Sequence, residues 1–189
     1  MILPILLAAL AGGVAIFIWG AISWMALPWH HASFSKFENE DAIATAVLAS
    51  APKTGLYLMP SPGCGDAKDP AAKKAAQEAA MERMKKGPRV FAVIHREGFT
   101  SMAPYMVKGF VVGVVVSALL AYLLTKTAIQ ADWKRALFVD LTALAGVMAA
   151  RLNDWNWHGF PNRYTVLHLV DATIGWGLAG WAITAVLPA

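Results

Sequence analysis

From Ile2 to Leu27 the chain carries no ionisable side chain. Such a run exceeds the roughly 20 residues needed to cross about 30 Å of hydrocarbon, so lipid becomes the expected solvent. Three more apolar runs follow, at 105–125, 133–150 and 164–187. With residues 1–27 as the first span and 28–104 as one polar insert, the pattern predicts an all-α four-helix transmembrane bundle carrying a small α/β extramembrane insert. Composition agrees, because 58% of residues are hydrophobic and only 15% charged, proportions a soluble domain rarely shows.

The first run lacks a basic segment before it and is about twice as long as the apolar core of a secretory signal, so an uncleaved anchor is expected. Ser61-Pro62-Gly63-Cys64 imitates a lipoprotein cleavage box but lies far downstream of any signal, and lipidation there is not expected. With one cysteine, an internal disulfide is excluded, as is a metal knuckle built on cysteines. The net charge of +4 gathers its Lys and Arg between residues 36 and 96, interleaved with acids, which describes a solvated surface rather than a nucleic-acid arm.

Short links between the later spans predict antiparallel neighbours. Small residues at spacing four, Gly109 with Gly113 and Ala145 with Ala149, and a face of Gly175, Ala179 and Ala182, predict close helix approach, since packing replaces the hydrophobic effect within lipid. In the insert, Asn39 is a helix cap ahead of Glu40 and Asp41, with Pro52 as terminator. A second helix is predicted from Asp69-Pro70 to Lys85-Lys86, closed by Gly87-Pro88. Two β-prone stretches, 56–59 and 90–94, can pair in parallel through a right-handed crossover. Two strands cannot stand alone in water, so the insert must find burial on its own bundle, on a partner chain or by edge pairing.

Ionisable groups at membrane depth are costly, which singles out Asp140, His168 and Asp171. They have two readings. In the structural one Arg151 pairs with Asp154 or Asp171, His168 bonds across helices, and Asp140 is protonated or meets Lys126 or Arg135. In the functional one Asp140, His168 and Asp171 line a path for protons or small cations. The absence of an internal repeat favours the structural reading. His30, His31 and His158 belong to one membrane surface, so a Zn or Cu site is conceivable, although adjacent histidines on a helix point about 100° apart and rarely chelate together. No cofactor is otherwise expected. Phosphate loops, HExxH and GxSxG motifs are all lacking, which argues for a non-catalytic protein. The turn Trp155-Asn156-Trp157-His158-Gly159-Phe160-Pro161 reads as an interfacial aromatic belt, with stacking of a quinone or lipid headgroup as its alternative.

Phe17 to Pro28, Gly55-Leu56-Tyr57, the Trp155 to Pro161 turn, and Asp171 followed by Gly175-Trp176 together resemble a functionally uncharacterised family of bacterial four-span integral membrane proteins. The resemblance covers most of the chain. It implies a bacterial membrane and one insert after the first span, and implies no activity. Where that family often has a single histidine near the end of span one, this chain has Trp24 and then His30-His31. The resulting expectation is an accessory or interaction subunit of a larger complex in the bacterial inner membrane. Its partners would be the lipid bilayer and a membrane protein or a second copy of itself, with both termini cytoplasmic and the insert periplasmic.

Overall fold

A computed structural model describes residues 2–61 and 69–188 of the chain. It divides into two compact units, Met1–Ser35 with Ser101–Ala189, and Lys36–Thr100. The Cys64 turn lies outside the described residues.

The first unit holds the four longest helices. Helix α1 (Ile2–Ala21) runs on as a π-helical turn, Ile22–Ala26, closed by Leu27 N–H on the Ile22 carbonyl at 3.1 Å. Pro28 follows, and a short 3₁₀ turn, His31–Ser33, completes the hook. In the second unit come α2 (Glu40–Ser50), β1 (Gly55–Met59), α3 (Pro70–Lys86) and β2 (Val90–Ile94); the first unit then resumes with α4 (Ala103–Leu124), α5 (Asp132–Asn153) and α6 (Asn162–Val186). A second π-helical turn, Asp154–His158, extends α5, and Gly159 ends it at φ +74°, a conformation that favours glycine. The described residues are therefore mostly helical, with one two-stranded sheet. Among the described residues four helices, counted with their π turns, are long and apolar enough to cross a membrane: Ile2–Ala26, Ala103–Leu124, Asp132–His158 and Asn162–Val186.

Contacts run in the order α4, α1, α6, α5, with α1 packed against both α4 and α6. Glycines set the approach. A Cβ on Gly13 would run into a Val114 methyl, while one on Gly113 would lie 2.9 Å from Ile16, one on Gly175 2.6 Å from Ile16, and one on Gly180 2.6 Å from the Ala136 carbonyl oxygen. Backbones thus meet where no side chain intervenes, the packing that substitutes for hydrophobic collapse in lipid. Gly12 and Gly13 of α1 are central to this seam. The expected face of Gly175 and Ala179 is buried, whereas Ala145 and Ala149 are exposed and Gly109 meets nothing. Although α4 and α5 are joined by a short link, they touch only weakly. The seam at α1 draws α4 away from its neighbour in sequence.

At the far end of this unit Arg135, in the first turn of α5, is buried and donates to the Leu187 and Pro188 carbonyls at 2.7 and 2.9 Å, capping α6. It does not pair with Asp140, the salt bridge it makes being with Asp132 at 3.7 Å.

The second unit follows its punctuation. Asn39 accepts from Ala42 N–H and Asp69 from Ala72 N–H, and Pro70 opens α3, which Gly87 closes. Arg96 caps α2 through the Leu48 and Ala51 carbonyls, while the Thr54 hydroxyl bonds Glu97 and holds that carboxyl below its usual range. The strands pair antiparallel, from Gly55 opposite Ile94 to Met59 opposite Val90, and this corrects the parallel crossover. A crossover helix needs an apolar face to lay on the sheet; α3 is lysine-, glutamate- and alanine-rich, and only its Ala80 is buried. Among described residues of the unit, only Ala51, Pro60 and Ala80 are buried.

Candidate functional site

The π turn at the end of α1 and the Pro28 hook place Ser23, Trp29 and His30 against α6, where Asp171 lies nine residues, about 14 Å, from the helix start. Ser23 and His30 are wholly buried. The Ser23 hydroxyl donates to Asp171 Oδ1 at 2.6 Å, and the Trp19 indole donates to the same oxygen at 2.8 Å. His30 Nε2 lies 2.9 Å from Ser23 Oγ and 3.5 Å from Asp171 Oδ2, and the Trp29 indole reaches Ser23 Oγ at 3.1 Å.

Valence fixes the direction of these bonds. Ser23 has one proton, given to Asp171, and its two lone pairs accept from Trp29 and His30. His30 therefore carries a proton on Nε2. Its Nδ1 is buried and has no partner. Every polar group converges on one carboxylate. Ser, His and Asp occur together, yet they do not form a hydrolytic triad in this arrangement. A triad base places hydroxyl and carboxylate on opposite ring nitrogens, whereas here both face Nε2.

Aromatic rings enclose the cluster. Trp24 stacks on His30 with centroids 3.9 Å apart and planes 2° from parallel, and Trp29 meets it edge-on at 5.7 Å. His168, one turn before Asp171, lies 5.3 Å from the His30 ring and 4.2 Å from Tyr164; its Nε2 is likewise buried without a partner. The cross-helix hydrogen bond expected of His168 at that atom is not made.

Among the residues singled out by sequence, His168 and Asp171 come together with His30. Asp140 stands apart on α5, facing Gly177 of α6, with Oδ1 buried and unpartnered. Arg151 Nη1 lies 3.6 Å from Asp154 Oδ2, and Asp154 also holds His158 at 3.2 Å. His31 is exposed. His30, His31 and His158 are not gathered, and no group of three or more His, Cys, Asp or Glu able to hold a metal occurs among the described residues. Sequence reasoning missed Ser23 and Trp29. A serine or indole in an apolar span looks like packing or anchoring, and only the π turn and the Pro28 hook reveal the convergence.

Beside this cluster, between α1, α4, α5 and α6, lies a cavity of about 810 Å³. Arg151, His168, Asp171 and Trp19 line one end, and Leu119 and Leu123 the other.

Four helices of this length and polarity, with a polar network held inside them, have the makings of a multi-pass membrane protein. No protein-family model, curated protein or solved structure matches the chain.

Proposed function

We propose that the protein is a non-catalytic interaction subunit of the bacterial inner membrane, its four long helices spanning the bilayer and its insert, on the periplasmic side, offering the contact surface. The observation that supports this reading is how little is buried among the described residues of the insert. Leu56 and Val93 are 64% and 63% exposed on one face of a sheet that is two strands wide among the described residues. Such a unit has exposed apolar surface, the feature that docking with another chain uses. Affinity purification in mild detergent tests it. A stoichiometric partner, or a second copy seen by light scattering, is expected with the native chain and lost with Leu56→Ser/Val93→Ser. A monomer with no partner, or a partner retained by that variant, overturns the reading.

A carrier of protons or small cations is the second reading, favoured by the unpartnered buried atoms of Asp140 on α5 and of His168, one turn before Asp171 on α6. Proton flux in proteoliposomes, abolished by Asp140→Asn and Asp171→Asn with unfolding midpoints preserved, would replace the first reading with this one.

A further inference from the structure

We propose that the cavity between α1, α4, α5 and α6 is a binding site for a quinone-class lipid, its ring beside Arg151, His168 and Asp171 and its isoprenoid tail lying toward α4. The proposal rests on the four helices lying in lipid and is independent of what the insert contacts.

Space is the first argument. Gly20 and Gly146 line the cavity, and a Cβ on either would meet nothing within 4 Å. They differ from Gly13, Gly113, Gly175 and Gly180, each of which admits a neighbouring helix. A glycine that admits no helix leaves room. The volume falls within the range of ligand pockets, and the weak α4 to α5 contact leaves a side through which a tail longer than the cavity can pass.

Polarity is the second. Along α5 the lining runs from Thr142 to Arg151, nine residues or about 14 Å, and along α6 from Trp176 back to His168. The antiparallel helices bring Arg151, His168, Asp171 and Trp19 to one end, while Leu119, Leu120 and Leu123 of α4 lie at the other. The site is amphipathic along its length, matching a molecule with one polar head.

The head's chemistry follows from what the polar end offers. Arg151 supplies donors and Asp171 an acceptor, so a ring oxygen finds a partner both as carbonyl and as hydroxyl. The two charges are opposite, and Asp154 already faces Arg151, leaving no net positive charge for a phosphate. Depth points the same way. Asp171 is about 14 Å down α6, where a phosphodiester would have to shed its water but a neutral ring would not. The Trp19 indole N–H is committed to Asp171, so the flat ring is what it has left to offer, and Trp176 and His168 add further planar walls.

The full-length protein in phosphatidylcholine/phosphatidylglycerol nanodiscs is titrated with ubiquinone-2, and adducts are counted by native mass spectrometry. One quinone per chain is expected. Gly146→Leu, which fills the room, and Arg151→Gln, which removes the donor, should each weaken binding about tenfold or more. Gly20→Leu repeats the first variant from the opposite wall should Gly146→Leu fail to keep its unfolding midpoint. Equal quinone uptake by the native chain and a folded cavity-filling variant would show simple partition into lipid. A phospholipid adduct that ubiquinone-2 cannot displace would assign the cavity to bulk lipid. Either result overturns the proposal.

Discussion

In the helical unit the closest contacts are made by residues with almost no side chain, while in the insert large apolar side chains stand in the open. Gly13, Gly113, Gly175 and Gly180 bring backbones together, and Ile183, Val139 and Ala8 fill what remains. Among the described residues between 36 and 100 the buried ones are small and few, and Leu56, Leu58 and Val93 are exposed. The contrast teaches that hydrophobicity by itself does not locate a core. Apolar helices in lipid are held by fit and by polar networks, and an extramembrane unit with little burial has little hydrophobic stabilisation of its own.

The sharpest way to break this contrast is at a glycine. Gly180→Ala puts a methyl 2.6 Å from a backbone oxygen that cannot swing aside, and a loss of about 3 kcal/mol is expected in a denaturant titration of the detergent-solubilised protein. A loss under about 0.5 kcal/mol would mean the helices are not held by close approach. Next comes Asp171→Ala, which removes the acceptor of the Ser23 hydroxyl and leaves the Trp19 indole only the residue-171 backbone carbonyl at 3.2 Å, and should cost about 2 kcal/mol. Asp171→Asn, keeping one acceptor oxygen, should recover part of that in the same titration. Arg135→Met removes the cap on α6 and should cost about 1 kcal/mol, lowering the midpoint with no change in helical content by circular dichroism. Smallest is Leu56→Ser in the insert, expected within about 0.5 kcal/mol of the native protein when purified without a partner. Hydrogen exchange sharpens the comparison further. Amides of β1 and β2 should exchange orders of magnitude faster than those of Gly175–Ile183, and slow only when the insert is covered.

Much of this architecture is written in the chain. The four long helices follow from run length, and the caps of α2 and α3 from Asn39, Asp69-Pro70 and Gly87, because those signals are local and act on the nearest backbone. Strand direction is not local. It turned on whether α3 had an apolar face, a property its alanines blur in sequence and its exposure makes plain. The weak α4 to α5 contact was hidden for a similar reason: Gly12-Gly13, far away in α1, decides which helix α4 prefers. In the site, Asp171 and His168 were legible because charge in lipid is conspicuous. Ser23, Trp29 and the burial of His30 were not, since a π turn and a proline hook bring them inward and neither leaves a pattern in composition.

The bond from Trp19 to Asp171 joins residues 152 positions apart. During synthesis the first helix therefore precedes its acceptor, and the Trp19 indole and the Ser23 hydroxyl have no Asp171 carboxylate to bond until α6 is made. Only when the last helix enters does that debt of polarity close. A chain cut short anywhere before residue 171 lacks the oxygen on which the Trp19 and Ser23 donors converge.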